Sequence, residues 1–335
     1  MIAELFNDAE IPSGLVQVIQ GYGNLGEALI KSGIQKISFT GSSATGKKVY
    51  QHAAQEMIPC TLEMGGKDAA IILEDADLEK TVAGILWAGL SNCGQACASV
   101  EWVFFPATQE KMILSAFAKG LGAMQKDDLG VMNTPLQKAI VEHQIKDALG
   151  KGAHIFARRH FGSEENPLHL EARLLSGVSE TSTLYTQENF GPVISFFPYA
   201  DLQEVKNKLQ ALPYGLTTSI WTRDFNRTVD LSRDLEVGVV TINDHMVTAG
   251  VPETPWLGHK ASGLGFSRSR FALRNFTKMK TVFQNPPFFK KRFWQFPYDQ
   301  NGLSMGHDCI RSQFDPSWVM RLIFKVRLFW GLVFG

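Results

Sequence analysis

Residues 36–48 read KISFTGSSATGKK. The short β run Lys36–Phe39 passes through Thr40-Gly41-Ser42-Ser43-Ala44-Thr45-Gly46 into a helical start at Lys47-Lys48. A strand, a turn of small residues and a helix make one arm of a doubly wound α/β fold. The free N–H groups at such a helix start favour an anion. The spacing is Gly-x-x-x-x-Gly, with no Gly-Lys-Ser/Thr to close it and no GxGxxG. Taken alone, such a turn is more often a plain βα connection than a phosphate or dinucleotide site.

Outward from this arm the chain keeps alternating. Upstream, Leu15–Ile19 (LVQVI) reads as a short strand and Leu25–Ser32 as a helix with Gly33 at its C-terminal cap. Downstream, Thr61–Met64 ends a strand and Ala69–Leu73 is a further apolar run. Asp75-Ala76-Asp77 caps a helix over Leu78–Leu90, and Trp102–Phe105 is a strand. Helices are expected over Glu110–Gln125, Thr134–Leu149, Leu202–Leu212 and Asn226–Leu235. Strands are expected near Gly150–Phe156 and Leu174-Leu175, then at Val193–Phe197, Thr217–Thr222 and Val237–Ile242. Arg158–Pro167 reads as a polar loop, Pro213-Tyr214-Gly215 as a turn, and Lys278–Gln284 alternates like an edge strand. This order predicts an α/β fold with substantial parallel sheet. Residues 250–275 are loop-rich, and Gly258, Ser262, Gly263 and Gly265 either wrap a ligand or form a connection near a subunit contact.

A chain of 335 residues buries one large core or two modest ones. Its 33 Lys and Arg balance 33 Asp and Glu, so no global charge points to nucleic acid. Four cysteines (Cys60, Cys93, Cys97, Cys309) make no disulfide framework, which places the chain in a reducing compartment, the cytoplasm. The acidic N-terminus is not a secretory signal. Arg321, Lys325 and Arg327 interrupt the apolar C-terminus before it reaches the ~18–20 residues of a spanning helix.

The chemistry concentrates in Leu62–Val100, which opens LEMGGKD and closes NCGQACASV. Glu63 precedes a Gly-Gly turn, and Cys97 lies among small residues that let a substrate approach the backbone. A carboxylate and an exposed thiol suggest covalent catalysis, the thiolate attacking and the carboxylate later moving a proton. A free Cys is more commonly buried and inert, and a lone Glu more commonly solvated. Cys93 reads either as a redox neighbour of Cys97 or, more commonly, as a small buried side chain. No metal site is expected.

Seven stretches then stand in register: ISFTGSSATGKK (37–48), LEMGGKD (62–68), NCGQACASV (92–100), QENFGPVISF (187–196), PYGLTTSIW (213–221), VGVVTIND (237–244) and PETPWLGHKASGLG (252–265). Their order resembles the NAD(P)-dependent aldehyde dehydrogenase superfamily over about residues 1–285. The resemblance implies an aldehyde dehydrogenase-like α/β fold, with an incomplete Rossmann-like cofactor domain and an α/β catalytic domain. On this reading 1–64 is the remnant of the dinucleotide-binding domain and 65–258 the catalytic domain. Residues 259–285 hold the C-terminal loop and oligomerisation strand, and 286–335 are a basic, aromatic and apolar tail. The family's oxyanion asparagine and ribose-binding lysine have no counterpart in the sequence, so the chain reads as the C-terminal part of such an enzyme.

By the same resemblance Cys97 matches the nucleophile and Glu63 the general base. Gly41, Ser42 and Gly46 match the turn that holds the pyrophosphate of NAD or NADP. Glu188 matches the residue that bonds the nicotinamide ribose, and Phe190 the one beside the nicotinamide. Gly94 and Gln95 shape the nucleophile loop, the Cys97 N–H is an oxyanion donor, and Asn243 is structural. Trp102, Ala172-Arg173 and Phe266-Ser267-Arg268 depart from the family pattern, which puts the substrate in question more than the fold.

The expected reaction is oxidation of a small-molecule aldehyde, a lipophilic one being suggested by the apolar tail, to a carboxylic acid. It runs through a cysteine thiohemiacetal and thioester in a homo-oligomer. The competing reading is an inactive fragment, serving as an interaction module or one half of a split gene, and the chain alone is expected to oxidise aldehydes poorly. Acyl transfer to coenzyme A is disfavoured by Glu63. The tail stretches FFKKRFWQFPYD (288–299) and SWVMRLIFKVRLFWGLVFG (317–335) suit peripheral membrane contact, or packing on the protein or a partner, or a disordered or frame-altered end. Their aromatic interleaving lacks any fold that would accept nucleic acid.

Overall fold

The computed structural model describes residues 2–334 apart from 13, 126, 162–165, 286, 288–292 and 297. The chain divides into two units, residues 1–277 and 278–335. In the first, α1 (Ile2–Asp8), α2 (Gly23–Lys31), β1 (Ile37–Thr40), α3 (Ser43–Gln55) and β2 (Cys60–Glu63) lead into β3 (Asp68–Ile72), α4 (Leu78–Leu90) and β4 (Val100–Pro106). Next come α5 (Glu110–Ala123), α6 (Pro135–Gly150), β5 (His154–Arg159), β6 (Ala172–Ser176), α7 (Thr183–Thr186), β7 (Val193–Tyr199) and α8 (Leu202–Ala211). The unit closes with β8 (Tyr214–Gly215), β9 (Thr217–Trp221), α9 (Phe225–Arg233), β10 (Val239–Ile242), β11 (His259–Lys260), β12 (Gly263–Leu264) and α10 (Ser269–Arg274).

The main sheet has seven strands in the order β10-β9-β3-β4-β7-β6-β5, parallel except for the β5–β6 pair at one edge. Every residue of β3, β4 and β9 is buried, the pattern of central strands covered on both faces. Trp102 explains its departure from the family pattern by packing on Phe104, Tyr185 and Phe197 within this core. Asp77 caps α4 through Lys80 N, whereas Asp75 accepts from Thr222 and from the N–H groups of Arg223 and Asp224.

A second sheet runs β1-β2-β12, with β12 antiparallel to β2, over a small core of Ile30, Ile37, Ala53 and Ile58. The 250–275 segment is thus a connector. Met64 N donates to Ser262 O, and Ser262 Oγ accepts from Gly215 N in β8, just ahead of β9 of the main sheet.

Four expectations change. Leu15–Ile19 forms no strand: it has no ladder partner, and Leu15, Val16, Val18 and Ile19 are exposed. Lys278–Gln284 makes no ladder among the described residues either, with Met279 and Phe283 in solvent. Pro213-Tyr214-Gly215 is more than a turn, because β8 pairs with β11. Arg158 and Arg159 also belong to β5, and residues 162–165 of the expected loop lie outside the described residues.

The second unit contains α11 (Gln300–Phe314) and α12 (Trp318–Phe334). They pack through Met305 against Gly331, Arg311 over the Phe324 ring, and an Arg327–Asp308 ion pair at 3.3 Å. Residues 288–292 and 297 of the basic stretch 288–299 lie outside the described residues. No described helix is long and apolar enough to cross a membrane.

Candidate active site

Cys97 lies in the loop between α4 and β4. Asn92, Cys93 and Gly94 in that loop are left-handed in succession, with φ of 53°, 60° and 69°. Such a run is strained for residues with a Cβ and persists only where the surroundings hold it. Gln95 supplies much of that hold. Its Nε2 donates to the carbonyls of Asn92 (3.0 Å) and Val131 (3.1 Å), and its Oε1 accepts from Asn133 N (2.8 Å). Gly94 is required by contact as well, because a Cβ there would lie 2.1 Å from Gly191 O. Gly94 and Gln95 therefore shape the loop as expected.

The Cys97 thiol is half-buried against an apolar wall that includes Ala98, Leu216 and Trp256. Burial raises its pKa to about 11, and the charges of Asp68, Glu188 and Glu63 push the same way. This corrects the picture of an openly exposed thiol: the loop packs it too deeply. Cys93 is fully buried with its Sγ 3.8 Å from Met132 Sδ, and burial raises it to about 12. It is the inert neighbour, not a redox partner.

Glu63 ends β2, in register with Thr40 on one side and Gly263 on the other. Burial raises its pKa, opposed by the charge of Arg268, and its Oε1 is buried with no hydrogen-bond partner. Arg268 is itself left-handed (φ 59°) and stacks 5.3 Å from the Trp256 ring. Sequence reading noted Arg268 only as a departure from pattern.

The turn after β1 is tied to the same strand. Gly41 N donates to Glu63 O at 3.1 Å, and Ser42 Oγ caps α3 through Thr45 N at 3.3 Å. Gly46 is buried against Met64, where a Cβ would come within 2.2 Å of Sδ. Gly41 and Ser42 stay open to solvent at the start of a 13-residue helix. These features fit a bound pyrophosphate.

Glu188 lies across the Gly65-Gly66 turn. A Cβ on Gly65 would sit 2.0 Å from its Oε2, and Gly66 N donates to its Oε1 at 3.3 Å. Burial and the Glu101 charge raise its pKa to about 8, against the pull of Gly66 N–H and Lys67. Phe190 is left-handed (φ 51°) and donates its N–H to Glu101 Oε1 at 3.2 Å, beside Asn189 N at 2.9 Å.

Two groups escaped sequence reading. The first is the buried ion pair Lys67–Glu101, which ties the Gly-Gly turn to the backbone of 189–190. Its signal was there: an acid inside the apolar run SVEWVFF needs a buried partner. The second is a line of buried polar groups behind the nucleophile. Asp68 Oδ2 meets Thr217 Oγ1 at 2.5 Å, Thr217 Oγ1 meets His245 Nε2 at 3.0 Å, and His245 Nδ1 meets Ser219 Oγ at 2.8 Å. His245 also reaches the backbone of Ala98, next to Cys97. Burial pushes the Asp68 carboxyl well above its ordinary value and pulls His245 down to about 3. Nothing in the local sequence marks this line, because tertiary pairing alone assembles it. Asn243 is structural, bridging Thr222 N (2.9 Å) and Thr222 O (2.8 Å).

Cys97, Glu63 and Glu188 thus share one electrostatic neighbourhood, with Gly41, Ser42 and Gly46 joined to it through the β1–β2 ladder. A groove between α4 and α5 at Val82, Trp87 and Gly120 lies elsewhere and is lined by none of these groups.

A family profile described as the aldehyde dehydrogenase family matches residues 1–282. The chain belongs to the aldehyde dehydrogenase family. It is 32% identical over 308 residues to a 4,4'-diapolycopene aldehyde oxidase of Methylomonas sp, covering 90% of this chain and 57% of the relative. It is 30% identical over 290 residues to a betaine aldehyde dehydrogenase of Cereibacter sphaeroides, covering 84% and 59%. Among solved structures it superposes on a Mycobacterium tuberculosis aldehyde dehydrogenase complexed with NAD+ at TM-score 0.80 and 30% identity, over 85% of this chain and 60% of the other. An NADP-dependent glyceraldehyde-3-phosphate dehydrogenase from Bacillus halodurans complexed with NADP gives TM-score 0.76 and 32% identity, over 83% and 58%. The chain therefore carries the aldehyde dehydrogenase α/β fold across less than two thirds of those relatives' length. The family match ends at residue 282, ahead of α11 and α12.

Proposed function

We propose that this aldehyde dehydrogenase family chain oxidises an aldehyde to a carboxylic acid with NAD+ or NADP+, using Cys97 as nucleophile and Glu63 as base. The observation that carries this reading is the Cys97 thiol, set on an apolar wall within the fields of Glu63 and Glu188. Glu63 takes the Cys97 thiol proton and passes it to solvent, Sγ adds to the aldehyde carbon as the C=O π bond opens, and the Cys97 backbone N–H stabilises the oxygen as negative charge develops. Gly41, Ser42 and Gly46 hold the cofactor's pyrophosphate, and Glu188 and Phe190 hold its nicotinamide end. The nicotinamide, when bound, supplies the acceptor for the hydride that the aldehyde carbon gives up. Glu63 then takes a proton from water, whose oxygen attacks the Cys97 thioester. The C–S bond breaks and the acid leaves. A carboxyl raised by burial suits this work near neutral pH. The wall of Ala98, Leu216 and Trp256 suits a lipophilic aldehyde.

The domain division follows the same reading. Residues 1–64 serve the cofactor, 65–258 the chemistry, and 259–285 the connector and a segment that pairs with a second copy. A second reading rests on the open edge of β1 and the exposed Leu15–Ile19: the chain acts as a binding module without turnover. One assay separates the two. Aldehyde-dependent NAD(P)H formation, followed by ultraviolet absorbance and abolished in Cys97→Ala, supports the enzyme. No NAD(P)H from a chain whose Cys97 still alkylates supports the module.

A further inference from the structure

We infer that α12 is an interfacial anchor that lies in the surface of an anionic lipid bilayer. On a helix of 3.6 residues per turn, Trp318, Leu322, Ile323, Val326, Phe329 and Trp330 fall on one side, and an uninterrupted apolar face spans about 160° of the circumference. All six are exposed, whereas Phe324 and Leu332 on the opposite side are buried. Lys325 and Arg321 flank the apolar face on one side and Arg327 on the other, and no acidic residue occurs in the helix. A wide apolar face bordered by cations is the pattern of a helix in the plane of a membrane interface, with aromatic rings at the headgroup level.

Charge supports the same occupant by a separate route. Residues 278–335 hold nine Lys and Arg against three Asp, a net +6. The whole chain balances at 33 against 33, so residues 1–277 carry a net −6. Basic charge is therefore gathered in the stretch that bears the apolar face. Five of the nine cations lie between Lys278 and Tyr298, where there is no acid. Anionic headgroups attract such a segment, each cation near the surface contributing about fivefold in binding. As described, the 17-residue helix is not long and apolar enough to cross a membrane.

The test uses the full chain and sucrose-loaded vesicles, with no enzymatic readout, so it stands apart from the proposed reaction. Vesicles of phosphatidylcholine and phosphatidylserine mixed three to one are compared with phosphatidylcholine alone. The chain sediments with the mixed vesicles, binds the neutral ones at least about tenfold less, and is released by salt. Brominated acyl chains in the mixed vesicles quench tryptophan emission, and Trp318→Ser with Trp330→Ser removes most of that quenching. Val326→Glu lowers binding about tenfold or more, and Lys325→Glu with Arg321→Glu lowers it further, with circular dichroism unchanged. Failure of the unmodified chain to bind mixed vesicles overturns the inference. Equal binding to neutral vesicles overturns its electrostatic half. A self-associating chain that ignores vesicles and becomes monomeric on Val326→Glu assigns the face to a second copy instead.

Discussion

The pKa of Cys97, about 11, is set first by burial and then by Asp68, Glu188 and Glu63. Removing a nearby negative charge must favour the thiolate. Glu188→Gln is therefore expected to speed alkylation of Cys97 by iodoacetamide at pH 9 by about three- to tenfold, scored by mass of the Cys97 peptide. An unchanged rate would show that burial alone sets the thiol. Glu188 also makes a statement about stability. In the fold it keeps its proton to about pH 8, against an ordinary value of 4.5. Between those values the folded state binds more protons than the unfolded one, so stability falls as pH rises through the window. Glu188→Gln should remove that loss, raising the melting temperature at pH 8 by several degrees and leaving it nearly unchanged at pH 4. His245 works in the opposite sense. It is neutral down to about pH 3 in the fold but charges below 6.5 when unfolded, so its contribution is lost as pH falls.

Elements show where sequence reading succeeds and where it stops. The helix Leu78–Leu90 is legible to the residue, since Asp77 announces its cap and the apolar spacing does the rest. β3, β4 and β9 are legible as apolar runs between turn residues. Leu15–Ile19 has the same composition yet forms no strand, because a strand exists only with a neighbour, and local residues do not specify one. The site divides similarly. Cys97, Glu63 and the Gly41–Gly46 turn carry motifs, whereas the Lys67–Glu101 pair and the Asp68–Thr217–His245 line join residues 34, 149 and 28 positions apart. The Lys67–Glu101 pair holds the turn under Glu188 against the loop that carries Phe190. Glu101→Ala leaves Lys67 charged and buried, at a cost of about 3–5 kcal/mol. Thermal denaturation should show a loss of about 10 °C. Lys67→Met with Glu101→Leu should lose much less, and equal losses would deny that the stranded charge is the cause. Gly94→Ala, placing a methyl against Gly191 O, is expected to slow Cys97 alkylation and to destabilise the loop.

At the scale of the whole molecule, the segment joining the two units is the decisive feature. Lys278–Gln284 has no ladder among the described residues, and Met279, Val282 and Phe283 are 100%, 83% and 80% exposed. An alternating, exposed segment outside every described ladder is a template for another strand. If a second copy supplies that strand, its hydrogen bonds cover the peptide bonds after Lys278 and Lys280, which trypsin otherwise cuts in exposed, unpaired backbone. Pairing between copies is second order in chain, so protection must grow with concentration. Limited trypsin digestion at fixed enzyme ratio, run from dilute to concentrated protein, should therefore show cleavage at Lys278 and Lys280 slowing in step with the oligomer fraction from sedimentation velocity. The fragments identify themselves by charge. The large one, ending at Lys278 or Lys280, carries a net −5 or −4 and binds an anion exchanger, while the small one is basic. Cleavage at these two lysines that ignores concentration, in a chain that sediments as an oligomer, would place the subunit contact elsewhere and leave the segment as a simple tether.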